Sequence, residues 1–314
     1  MFKSFFGKKL FKKNLLGRTR KLESTQITPS TRWSIGIYAG NSIYDLDSPG
    51  KNINPVFLTV DDIRDENTTL VADPFMIQKD GKWYLFFEAE VETPGGPIGK
   101  IGLQAAGTAF HGPMTGWSWK NPFTSPILMY STGRENYYMI PETHSVRSVR
   151  LYKAREFPHK WELEKILLKG KRFADNSLFK YNNLWWLFTD SGNHTLRLYF
   201  SDKPDGKWKE HCKSPIMKKN PNHARPGGRV VLVDGHPVRF AQDAYPVYSS
   251  QVWAFKIVDL TAKTYKEIQI STPVIKGSGS GWNVKGMHTV DPHTLEDGSI
   301  LACEDGLKMG DSSL

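Results

Sequence analysis

Cysteine is scarce in this sequence, with only Cys212 and Cys303 in 314 residues. They lie far apart, with no CxxC spacing and no metal-ligating neighbours, which argues against a disulfide framework or a structural zinc site. No apolar run approaches the ~20 residues that span a bilayer as a helix. Helical periodicity is hard to find anywhere between 33 and 306. There is no Ser-His-Asp order and no Gly-rich phosphate loop. Asp45-Leu-Asp47 fits a nucleotide-sugar Asp-Xaa-Asp only superficially, since it sits in a polar loop. Acidic residues are missing from the first 21 positions, which hold eight Lys or Arg.

That last absence localises the charge. The formal net charge is +10, so the remaining 293 residues carry only +2. A nearly neutral body argues against nucleic-acid binding, and the basicity belongs to a tail. Lys8-Lys9 and Lys12-Lys13 interrupt the apolar residues near the N-terminus, which is not the pattern of a signal peptide. They also spoil an amphipathic helix, because Lys9 and Lys13 fall on the side of Phe2, Phe5 and Phe6. Two readings stand for residues 1–21: a basic, Phe-rich arm touching anionic lipid, or a disordered tail. The expected location is cytoplasmic, with peripheral membrane contact through the arm.

What the sequence has in quantity is aromatic and turn-forming residues: ten Trp, 27 Gly and 19 Pro. They fall in a repeat. Each copy opens on an Xaa-Pro or Asp-Xaa step, continues as a short apolar strand, turns, and returns as a second apolar, often aromatic strand. The copies start at Asp73-Pro74, Ser125-Pro126, Asp175-Asn176, Arg225-Pro226 and Asp291-Pro292. Their turns run through Gly81, Gly133, Asn182-Asn183, Asp234-Gly235 and Asp297-Gly298, residues that tolerate positive φ in hairpins. A second register agrees with the first. Leu151-Tyr152 and Leu198-Tyr199 are 47 residues apart, and so are Trp161 and Trp208.

A unit of about 45–50 residues with two hairpins cannot bury both faces alone, whereas five units around an axis can. The expected fold is therefore an all-β, five-bladed β-propeller with four antiparallel strands per blade. It spans 33–306, after a basic arm at 1–32 and before a tail at 307–314. Trp33–Tyr38 reads as a strand that joins the last blade and closes the ring, since an open ring leaves strand edges unpaired. Residues 41–66 read as a blade connection and 271–285 as a flexible loop.

In a propeller the first strand of each blade starts near the channel mouth, so residues far apart in sequence converge there. Here they are Asp73, Ser125, Asp175, Arg225 and the stretch His288–Asp291. Glu142 ends a wholly apolar strand and adds a third acid. Glu88, Gln242 and Glu304 echo its position in other blades, a repetition equally compatible with a structural role. Glycoside hydrolysis needs one carboxylic acid to protonate the leaving oxygen and one carboxylate to activate water or attack the sugar. Asp73, Glu142 and Asp175 are the catalytic candidates. Arg225, His288, Glu88 and Gln242 are the substrate-binding candidates. No organic cofactor is implied, and the one candidate ion is a channel cation near His288.

Several of these segments resemble a known family. Trp33-Ser-Ile-Gly-Ile-Tyr38, Val71-Ala-Asp73-Pro-Phe-Met76, Trp83-Tyr-Leu-Phe-Phe-Glu88, Tyr138-Met-Ile-Pro-Glu142, Arg150-Leu-Tyr-Lys-Ala154 and Ala224-Arg-Pro-Gly-Gly-Arg229 are similar to the N-terminal domain of plant glucosamine inositolphosphorylceramide transferases. That domain in turn resembles the five-bladed arabinanase and levansucrase superfamily, which includes glycoside hydrolase family 43. The resemblance implies an Asp base, a second Asp that modulates the acid, and a Glu acid. Asp73 and Asp175 match the first two by position. Glu142 is the candidate for the third, although the hydrolase acid follows the second Asp and Glu142 precedes it. Plant members carry a separate C-terminal glycosyltransferase domain, beyond the region of resemblance, so transfer is not implied for the propeller itself. The leading expectation is a glycoside hydrolase or transglycosylase acting on a glycan or glycolipid. The alternative is a non-catalytic glycan-binding propeller that serves a partner glycosyltransferase.

Overall fold

The computed structural model describes residues 11–13, 19–21, 31–46, 52–63, 67–106, 117–119, 128–132 and 136–309. Ser125 and Gly133 lie outside them. Within the arm, β1 (Phe11–Lys13) pairs with β2 (Thr19–Lys21). The body is an all-β five-bladed propeller. Strands β3 (Thr31–Gly40) and β4 (Asn52–Leu58) come first in sequence but belong to the last blade. Blade one is β5 (Thr68–Lys79), β6 (Lys82–Val91), β7 (Ile98–Ala106) and β8 (Trp117–Trp119). Blade two is β9 (Leu128–Thr132), β10 (Asn136–Ile140), β11 (Ser148–Glu156) and β12 (Lys160–Lys169). Blade three is β13 (Ala174–Tyr181), β14 (Leu184–Asp190), β15 (Leu196–Ser201) and β16 (Lys209–Glu210).

Blade four is β17 (Val231–Val233), β18 (His236–Gln242), β19 (Gln251–Leu260) and β20 (Tyr265–Gln269), with β21 (Ile275–Lys276) also paired to β19. This blade therefore departs from the expected four strands. Blade five is β22 (Val290–Thr294), β23 (Ile300–Met309), β3 and β4. The ring closes where β23 pairs with β3 from Ile300↔Gly40 to Met309↔Thr31. That ladder carries the last strand through Met309, past residue 306. Two expected loops hold structure instead. Residues 41–66 include β4, the outer strand of blade five, and 271–285 include β21 and a 3-10 turn at Gly281–Asn283. The turn is seated by Trp282, which packs where Gly306 has no side chain: a Cβ there would lie 2.4 Å from the indole.

The turn chemistry explains the register. Asp80-Gly81, Asn182-Asn183 and Asp234-Gly235 all have positive φ at both positions, as tight hairpins require. The equivalent tryptophans make equivalent bonds: Trp161 Nε1 donates to Pro158 O at 2.8 Å and Trp208 Nε1 to Pro204 O at 3.1 Å. Apolar burial is divided among the gaps between blades. Ile35, Leu58, Met76 and Leu85 fill one gap, Phe86, Met139 and Trp161 the next, and Leu151, Phe173 and Leu187 the third. Trp186, Leu198 and Ile257 fill the fourth, and Phe240, Val252 and Ala302 the last. Each first strand runs away from the mouth. The connections from second to third strand, and from one blade to the next, therefore lie on the mouth face.

Candidate functional site

The acids at the mouth are held by a repeated backbone device. Asp73 and Asp175 sit in bulges of β5 and β13 with φ of 51° and 49°. This left-handed conformation costs most residues roughly 1–2 kcal/mol and is best tolerated by Gly, Asn and Asp. In both cases a carboxylate from the preceding blade holds the bend. Asp73 N donates to Asp305 Oδ2 at 3.0 Å, and Asp175 N donates to Glu142 Oε2 at 3.1 Å. All four acids are buried.

Two half-sites result. In one, His288 lies between carboxylates, with Nδ1 2.8 Å from Asp305 Oδ2 and Nε2 3.5 Å from Asp73 Oδ1. Thr289 Oγ1 donates to Asp73 Oδ1 at 2.5 Å. The backbone N–H groups of His288 and Thr289 donate to Asp305 Oδ1. Trp33 covers the imidazole, ring centroids 4.4 Å apart. Burial pulls the His288 pKa down, but Asp305 and Asp73 overcome it and hold the group up at about 10. The ring is thus an imidazolium at neutral pH. Asp73, His288 and Asp305 offer three ligand atoms within 4.8 Å of one another. A channel cation there would have to displace the His288 proton.

In the other half-site Arg225 clamps Asp175: Nε bonds Oδ2, and Nη2 donates to Oδ1 at 3.4 Å. Gln242 Nε2 donates to the same Oδ1 at 3.3 Å and to Pro226 O at 2.8 Å. Glu142 Oε1 lies 2.6 Å from His144 Nδ1. Burial, with repulsion from Asp175, raises the Glu142 pKa to about 7, against the pull of His144 and Arg225. Burial also raises Asp175, against the opposing charge of Arg225. Tyr248 joins the halves, accepting from Arg225 Nη1 at 3.3 Å while its ring lies 5.9 Å from that of His288.

The Gly pair in Arg225-Pro-Gly-Gly-Arg229 delivers two guanidinium groups into the channel. A Cβ on Gly228 would lie 1.8 Å from Val290 O, and one on Gly227 3.0 Å from His288 O. Backbone contact between blades four and five, including the Gly228↔Val290 bridge, leaves no room for side chains. Arg229 reaches the channel wall, its Nε 2.6 Å from Asp291 Oδ1, while Met76 N and His293 engage Asp291 Oδ2. Burial alone would raise Asp291, yet Arg229 and His293 bring it down to about 2.

The structure thus brings Asp73, Asp175, Glu142, Arg225, His288 and Gln242 to one mouth. Glu88 is half-buried in β6, opposite Ala72, at the edge of the Asp73 bulge. In blade five the acid at the mouth is Asp305 rather than Glu304, which pairs with Val290 in the ladder. Sequence reasoning placed Thr289 at the mouth only as part of the stretch His288–Asp291, and missed Asp305, His144 and Tyr248. It also missed Asn176, beside Asp175, whose amide O and N are both buried without a hydrogen-bond partner.

The family model described as glucosamine inositolphosphorylceramide transferase 1, N-terminal, matches residues 26–307. The glucosamine inositolphosphorylceramide transferase 1 of Oryza sativa subsp. japonica is 32% identical over 311 residues, covering 90% of this chain and 41% of that protein. The Arabidopsis thaliana protein of the same name is 29% identical over 322 residues, covering 93% and 41%. The chain therefore spans about two-fifths of these relatives' length. Among solved structures, a family 43 glycoside hydrolase from Bacillus licheniformis superposes with TM-score 0.55 at 11% identity, covering 79% of this chain and 57% of its own. An exo-β-1,3-galactanase from Clostridium thermocellum gives 0.52 at 11%, covering 68% and 52%. At such identities these two establish the propeller fold alone. The match to the family model over nearly the whole chain, with the relatives' identity, settles the remaining question: the chain belongs to the glucosamine inositolphosphorylceramide transferase 1 N-terminal domain family.

Proposed function

We propose that the channel mouth binds the polar headgroup of a glycan or glycolipid and holds it for a glycosyl-transfer reaction carried out by a partner transferase. The observation that carries this reading is the clamp of Arg225 on Asp175. In the hydrolase pattern the acid follows the second Asp, and the blade after Asp175 opens with a guanidinium instead. A carboxylate held this way is a fixed acceptor for sugar hydroxyls. Asn176 and Gln242 Oε1 add buried polar atoms without protein partners, which cost free energy unless water or ligand satisfies them. The curated relatives are named for glucosamine, inositolphosphorylceramide and transfer, which supports a glycolipid headgroup as the ligand class.

A second reading keeps acid–base chemistry, with Asp73 as base, Glu142 as acid and Asp175 as modulator. It is favoured by the Glu142 carboxyl, which burial holds at about 7, where a general acid works best. Calorimetric titration with glucosamine, inositol phosphate and short oligosaccharides, beside a turnover assay on the same compounds, separates the two. Binding without turnover, weakened at least about tenfold by Asp73→Asn, is the expected result. Turnover that Asp73→Asn abolishes while affinity persists would move the second reading to the front. Absence of both binding and turnover would overturn both.

A further inference from the structure

We propose that the mouth face of the propeller is a membrane-docking surface whose partner is an anionic lipid bilayer. The first observation is topological. Asp305 lies at the mouth, and β23 continues past it to Met309, where it pairs with Thr31 at the start of β3. The basic arm therefore joins the propeller on the rim of the mouth. Its eight Lys or Arg without an acid among residues 1–21 suit an anionic lipid surface.

The second observation is where apolar side chains are exposed. Among the described residues, Val56, Leu163, Leu232 and Ile268 are exposed on β4, β12, β17 and β20. The loops from second to third strand carry Val146 at 46% and Tyr245 and Val247 at 47% and 41%, with Ile98 at 44% opening β7 beside the blade-one loop. These last four come from blades one, two and four, so they surround the mouth. The corresponding loop of blade three, Ser191–Thr195, is polar. The third observation is charge within the described residues. Connections on this face expose the cations Arg147, Lys171, Lys218, Lys219 and Lys285 and the acids Asp61, Asp62 and Glu92, a net positive set. Turns at the opposite end mix signs, as in Asp80 with Lys82, Asp205 with Lys207, and Asp297. Apolar tips among cations are the composition of an interfacial membrane contact. A mouth facing the bilayer would meet a lipid headgroup without extracting the lipid, but docking itself does not require the mouth to bind sugar.

The test uses the full chain and vesicles of phosphatidylcholine, with or without phosphatidylserine and with no glycolipid, so failure of sugar binding cannot mimic failure of docking. Cosedimentation with the phosphatidylserine vesicles is expected, falling at least about tenfold when 1–21 are deleted. Tyr245→Ser with Val247→Ser should lower it several-fold, while Leu232→Ser, beside the Asp234-Gly235 turn, should leave it unchanged. Thermal melts establish that each variant folds. A polarity-sensitive fluorophore is then placed by Val146→Cys or Asp234→Cys in a Cys212→Ser background. Its emission should shift to the blue on vesicles only at Val146→Cys. No binding to phosphatidylserine vesicles, equal loss in Leu232→Ser, or the same response from both labels would overturn the proposal.

Discussion

His288 Nδ1 lies 2.8 Å from Asp305 Oδ2 in the buried wall of the mouth. Asp73 stands at the other ring nitrogen, so the imidazolium is the cation that keeps two buried carboxylates together. Removing its proton leaves adjacent buried anions without compensation. The arrangement ties the stability of the mouth to pH.

Stability should therefore fall as pH rises above neutrality. The folded-state pKa of His288, about 10, lies above the ordinary 6.5. Between those values the folded chain binds more protons than the unfolded one, so the contribution is complete below 6.5 and declines toward 10. The limiting slope for one proton is about 1.4 kcal/mol per pH unit. Glu142 acts with the same sign at lower pH, between 4.5 and about 7. Urea denaturation between pH 7 and 9 should show the decline in the wild type and a flatter profile in His288→Gln. Equal slopes would mean that the imidazolium does not hold the two carboxylates.

Gly228→Ala should destabilise the propeller by at least about 2 kcal/mol, as overpacking against backbone does. Its φ is +139° and the new Cβ would meet Val290 O, so blades four and five must separate. Gly235→Ala is the control: φ is +74°, but nothing lies within 4 Å of the added carbon, so only the turn conformation suffers, at about 1 kcal/mol. Melting temperatures of the two variants check the ordering. Equal effects would mean that the close approach at Gly228 relaxes freely.

The repeat made much of this legible. Once the copies were aligned, equivalence alone placed Asp73, Asp175 and Arg225 at one end of the channel, because symmetry fixes what strand starts face. The acid held at Asp73 escaped the same logic. Glu304 echoes Glu142 by position, yet the carboxylate at the mouth is Asp305, one residue on. Side chains alternate along a strand, so an offset of one exchanges the two faces. Trp33 was legible as a closing strand but not as the cover of His288, 255 positions away. Such contacts follow from ring closure, which local pattern does not encode.

The clamp on Asp175 separates architecture from function. Asp175 is 2% exposed, and Arg225 supplies its compensating charge from the next blade. Removing one member of a buried pair strands the other, at a cost of about 3–5 kcal/mol, whereas removing both charges together costs far less. Arg225→Gln alone should therefore be strongly destabilising. Arg225→Gln with Asp175→Asn should recover most of the loss, because Gln and Asn can bond each other and Gln242 can still donate to the Asn oxygen. If the pair served stability alone, the double variant would also bind headgroup compounds like the wild type. The proposed recognition predicts the reverse: a folded double variant, with a near-native melting temperature, whose affinity is at least about tenfold weaker. Wild-type affinity in that variant would remove Asp175 and Arg225 from the binding site.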